Sequence, residues 1–154
     1  MPRVTFGNFS LEAPDEWTLS TVILAGPVSE DLPEMGLLGG KTVRPFQSNM
    51  IVTMERVGPE VTPESYVRRQ LEGLREAGVD RRDARTPEKV QLENGIEGLL
   101  TEQVILAATG ERVHQMQLVC IKNEVAHTII GSHLDGAPFE AVRDEFRKML
   151  LSFK

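Results

Sequence analysis

Three short turn signals punctuate the second half of the chain: Asn94-Gly95, Thr109-Gly110 and Lys122-Asn123-Glu124. Residues of this kind reverse a chain within a few positions, so the segments they join are forced to run antiparallel. The joined segments are Lys89 to Leu92, Ile96 to Ala107, Arg112 to Ile121 and Ala126 to Ser132, each with the apolar content of a strand. Because consecutive elements usually lie side by side, the simplest product is an antiparallel meander.

The first half supplies the remaining elements. Val4 to Leu11 reads as one opening strand, and Asn49 to Val57 as another around Met50-Ile51-Val52-Thr53-Met54. Trp17 to Ala25 starts with a polar even face, Thr18 and Ser20, that becomes apolar at Val22 and Leu24. One side of that strand can be core; the other needs a cover. Gly26 to Pro45 carries Pro27, Pro33, Gly36, Gly39 and Gly40, which break regular elements, yet holds Leu32, Met35, Leu37 and Leu38. Long apolar loops of this kind are packed structural flaps or binding flaps, and both readings stay open here.

Two helices are expected. Thr62-Pro63-Glu64 has a capping hydroxyl followed by a proline at the first helical position, and Gly78 suits a left-handed C-terminal cap after Ala77. Tyr66, Gln70, Leu71 and Leu74 share one side of this helix, with Val67 beside them. Pro138 opens the second, in which Phe139, Val142, Phe146, Met149, Leu150 and Phe153 recur at helical spacing. Residues 1–154 therefore read as a single α+β domain: a mainly antiparallel sheet of about six to seven strands packed with two principal helices.

Net charge of -6 over 154 residues opposes binding to nucleic acid or anionic lipid. The basic cluster Arg81, Arg82 and Arg85 is interrupted by Asp80 and Asp83 and reads as part of a solvated loop, Val79 to Pro87. Cys120 is the only cysteine and sits in the apolar stretch Met116 to Ile121, as a small core residue would. The opening residues resemble a strand rather than the apolar core of a signal peptide, and no apolar run reaches the roughly 18 to 20 residues that span a bilayer. A cytoplasmic protein without direct membrane insertion is expected.

No catalytic constellation, metal set or cofactor motif stands out. His114, His127 and His133 lack companions at zinc-site spacing and read as structural or surface histidines. Gly36-x-x-Gly39-Gly40-Lys41 has the composition of a phosphate loop without its spacing or its Ser/Thr. The acidic pairs Glu30-Asp31 and Asp144-Glu145 read as solvated surface. A small enzyme using His114 or His133 with a carboxylate from elsewhere in the fold is the weakest reading.

The strand Arg112 to Ile121 offers a different signal. If its even face, with Met116, Leu118 and Cys120, is core, then Gln115 and Gln117 lie on the opposite face among apolar neighbours. Neutral amides there could exchange hydrogen bonds with an apolar helix without burying charge; they could equally belong to a wet sheet face.

Several stretches together resemble the DcrB-like family, and within it the soluble Eag chaperones associated with type VI secretion effectors. They are Phe9-Ser10-Leu11-Glu12-Ala13-Pro14-Asp15-Glu16-Trp17, Asn49-Met50-Ile51-Val52, Tyr66-Val67-Arg68-Arg69-Gln70-Leu71, Gly95-Ile96-Glu97-Gly98, Gln115-Met116-Gln117 and Leu151-Ser152-Phe153. The resemblance spans nearly the whole chain and implies a PsbP-like sandwich. It also implies a homodimer whose concave surface shields the N-terminal hydrophobic helices of a secreted effector before export. Carried over, it places Val22 and Leu24 against a client helix, has Gln115 and Gln117 supply hydrogen bonds, and sets Gln70 at the border of the groove. The alternative is a PsbP-like assembly module whose partner has no transmembrane segment.

Overall fold

The structure, a computed structural model, describes residues 48–154 in full and, before them, the backbone of the strands that cover 3–6, 9–12, 20–25, 35–38 and 41–43. The strands are β1 (Arg3–Phe6), β2 (Phe9–Glu12), β3 (Ser20–Ala25), β4 (Met35–Leu38), β5 (Lys41–Val43), β6 (Asn49–Arg56), β7 (Arg81–Arg82), β8 (Glu88–Gln91), β9 (Glu97–Leu106), β10 (Arg112–Lys122) and β11 (Val125–Leu134). The helices are α1 (Pro63–Glu76) and α2 (Ala137–Leu151). The main sheet runs β3-β6-β11-β10-β9-β7, with β8 also paired to β9, and every pairing in it is antiparallel. The α+β class and the meander β8 to β11 are thus as the turn signals predict.

The turns themselves show why. Gly95, Gly110, Asn123 and Glu124 all have positive φ, a conformation open to glycine and tolerated by asparagine. At α1 the Thr62 hydroxyl accepts from the Ser65 N-H at 3.1 Å while Ser65 Oγ accepts from the Thr62 N-H at 3.0 Å, a reciprocal cap. At its other end Val79 N-H reaches Leu74 O and Gly78 N-H reaches Arg75 O, with Gly78 at φ 73°, so the chain leaves the helix through a Schellman turn.

Two expectations are corrected. The single opening strand is instead two, β1 and β2, paired as a hairpin with Phe6 opposite Phe9. The charged segment Val79 to Pro87 is not all loop, because Arg81 and Arg82 form β7 against Ile105 and Val104 at the sheet edge. Within Gly26 to Pro45, β4 and β5 pair as a short separate ribbon; residues 26–34, 39, 40, 44 and 45, with Glu30 and Asp31 among them, lie outside the described residues.

The helices cover opposite faces of the sheet. Under α2, Phe139, Phe146 and Leu150 pack with Met50, Leu100, Met116, Leu118, Cys120 and Ile129. Burying each such large side chain contributes about 1.5 to 3 kcal/mol, so this face carries most of the core. Gly131 is required here: a Cβ on it would meet the Phe146 ring at 2.9 Å. Under α1, Tyr66 and Val67 pack with Val57, Leu99, Val119 and Ala126. On β10 the even residues His114, Met116, Leu118 and Cys120 are therefore all buried, whereas among the odd ones Val119 is buried and Gln115 and Gln117 are half-buried.

Among the described residues no helix is long and apolar enough to cross a membrane.

Candidate binding face

The register aligns β3 with the glutamine-bearing side of β10. Leu24 is opposite Ile51, Ile51 opposite Ile130, Ile130 opposite Gln117 and Gln117 opposite Thr101. The neighbouring row runs Val22, Thr53, Thr128, Val119, Leu99. A third row contains Asn49, Ser132, Gln115 and Gln103. Directly paired residues share a sheet face, so the positions of Val22 and Leu24 fall in the rows of Val119 and Gln117. The side chains of Val22 and Leu24 lie outside the described residues.

α1 covers only the Val119 end of this face. Its border is polar: Gln117 Nε2 donates to Gln70 Oε1 at 2.9 Å, and Gln70 Nε2 donates to Thr128 Oγ1 at 3.3 Å. Tyr66 continues the border by donating from its hydroxyl to Glu55 Oε2 at 2.7 Å. A second relay crosses the strands beyond it. Arg81 Nε donates to Gln103 Oε1, Gln103 Nε2 to Gln115 Oε1 at 3.4 Å, and Gln115 Nε2 to Ser132 Oγ at 3.3 Å. Between the relays stand half-buried Ile51, Thr101 and Ile130.

The amides are thus partly engaged with one another. An amide has two N-H groups and a carbonyl with two lone pairs, so each of Gln115 and Gln117 keeps hydrogen-bonding capacity after its internal bonds. The face combines aliphatic surface with oriented, uncharged donors and acceptors. Such a surface can take an apolar segment and satisfy the occasional polar group on it.

The histidines occupy the other face. His114 is buried between two carboxylates, with Nε2 at 2.6 Å from Glu102 Oε1 and Nδ1 at 3.0 Å from Asp135 Oδ1. Its ring stacks on Phe139 at 3.6 Å with the planes 2° apart. Arg143 joins Glu102 at 2.6 Å and holds Glu140 through two hydrogen bonds, and Arg112 joins Asp135 and Asp83 at 3.0 Å each. The Glu140 contact, followed by Glu102, raises the Arg143 pKa beyond its ordinary value. This network ties α2 to β9 and β10. Both imidazole nitrogens and one ring face are engaged within the protein.

The rest of the basic cluster is similarly committed. Arg82 pairs with Asp80 at 3.0 Å and Arg85 with Glu102 at 3.7 Å. His127 tilts against Phe153 at 5.1 Å, and the Nδ1 of His133 accepts from the Leu134 N-H at 2.8 Å. Among the described residues no group of three His, Cys, Asp or Glu side chains is placed to hold a metal ion. Burial pushes the Cys120 thiol up to about 11, which keeps it unreactive in the folded core.

No known protein family and no curated protein matches the chain. Solved structures do resemble it. One is a crystal structure of a Pseudomonas aeruginosa protein of unknown function, suggested to be a regulator, with a TM-score of 0.64 at 14% identity over 100% of this chain and 96% of that one. At that identity the likeness shows the fold alone.

Proposed function

We propose that this chain is a cytoplasmic, non-enzymatic chaperone or adaptor that binds the hydrophobic N-terminal segments of a type VI secretion effector and shields them before export. The observation that carries the reading is the part of this face that, among the described residues, α1 does not cover, where half-buried Ile51 and Ile130 stand in register between Leu24 and Gln117, with amide relays on either side. A transmembrane segment waiting in water exposes far more apolar surface than the few hundred Å² that soluble proteins tolerate, so it needs such a cover.

The family resemblance favours a homodimer, in which two such faces enclose one client segment.

Co-expression with the apolar N-terminal region of an effector encoded beside this gene tests the proposal. Retention of that region in the soluble fraction and its co-purification are expected. Equal solubility with and without this protein, and no co-purification, would exclude the role. Capture of a partner whose bound region has no long apolar run would select the assembly-module alternative.

A further inference from the structure

A cleft of about 660 Å³ lies between α1 and β7, beside the amide-bearing face. Arg68, Arg75 and Arg81 line it together with Glu72 and the apolar Leu71 and Val79. Arg75 lies 3.8 Å from Glu72, which offsets one charge. Among the described residues neither Arg68 nor Arg81 has a carboxylate within ion-pair distance. Arg81 differs in this from Arg82, Arg85 and Arg112, each of which faces an acidic side chain.

Arg81 is also the partly buried member of its cluster, and its neutral contact is the Gln103 carbonyl. Burial lowers its pKa below the ordinary value, as it does for a cation removed from water without a counter-charge. Nε is used by Gln103, which leaves the two Nη groups, the edge of a guanidinium that takes a carboxylate in a bidentate pair.

We propose that this cleft binds a side-chain carboxylate, an Asp or Glu on the bound client next to its apolar segment, with Arg81 as the principal contact and Arg68 as the second cation. The amide relay Arg81-Gln103-Gln115 leads from the cleft onto the proposed client face, so one extended ligand can occupy both. Glu72 in the wall and the net charge of -6 disfavour polyanions and suit a singly charged group. Only the assignment of the carboxylate to a client rests on the proposed function; the site itself does not.

The test uses the full chain labelled with 15N in its Arg and Gln side chains. N-acetylglutamate α-amide and its neutral counterpart, N-acetylglutamine α-amide, are titrated at equal ionic strength. A saturable shift of the Arg81 Nε-Hε and Gln103 amide resonances is expected with the first probe, half-saturating at a concentration at least about fivefold lower than with the second, as for charge-assisted against neutral bonds. Arg81→Gln keeps a donor for Gln103 and should lose the Gln103 response, whereas Arg82→Gln should retain it. Linear shifts, equal responses to both probes, a response undiminished in Arg81→Gln, or tighter saturation by inorganic phosphate would each overturn the proposal. Neither probe carries an apolar segment, so failure here is distinct from failure of the shielding role.

Discussion

Gln117 on β10 donates a hydrogen bond to Gln70 on α1 at 2.9 Å, joining the two elements where the helix stops covering the sheet. Gln70 passes the contact on to the Thr128 hydroxyl. Removing one partner leaves the other partly desolvated and unpaired, whereas removing both does not. In a double-mutant cycle with Gln70→Ala and Gln117→Ala, the coupling energy from urea unfolding should be about 0.5 to 1.5 kcal/mol. A coupling indistinguishable from zero would show that this contact contributes nothing to docking α1.

The clamp around His114 predicts a larger effect. His114→Ala removes the ring stacked on Phe139 and leaves Glu102 and Asp135 facing a void, so destabilisation of about 3 kcal/mol is expected. Urea unfolding measures it, and a loss below about 1 kcal/mol would contradict the clamp. At a temperature where the variant stays folded, it should still capture the client.

Alkaline pH tests the α1 face. Burial, with Glu55 adding to it, pushes the Tyr66 phenol up to about 12 from an ordinary value of 10. Through that window the unfolded chain has lost this proton while the folded protein still holds it, so stability falls as pH rises. Cys120, pushed up to about 11 from 9, acts with the same sign one step lower. Tyr66→Phe, which changes the only tyrosine in the chain, should flatten the upper part of the decline in urea midpoint and leave the lower part. An unchanged curve would place the phenol in water.

Local signals made much of this fold legible. The turns at Asn94-Gly95, Thr109-Gly110 and Asn123-Glu124 and the ends of α1 depend on a few adjacent residues, and their backbone angles follow from those residues. β7 did not show, because Arg81-Arg82 has no alternation to read; its pairing comes from β9. The β1-β2 hairpin had a signal in Gly7-Asn8, a common hairpin dipeptide placed between the two apolar runs.

For the candidate face, alternation on β10 separated Gln115 and Gln117 from Met116 and Leu118, but not the partners of the amides. Gln70 and Gln117 stand 47 residues apart, and only the docking of α1 joins them. The His114 network was hidden in the same way, since Glu102 and Asp135 arrive from other elements. Glu102 between the apolar stretches Leu99-Leu100 and Val104 to Leu106 was the available hint, because a charge in a buried strand must be paired.

The most direct test of the central claim is capture of the effector's apolar N-terminal region by the wild-type chain and by Leu24→Asp, with circular dichroism and urea midpoints recorded for both. The account predicts that wild type holds the region in solution and that Leu24→Asp, still folded, weakens retention by about a hundredfold or more, as a buried unpaired charge would. Equal retention by both proteins, or none by wild type, would contradict it.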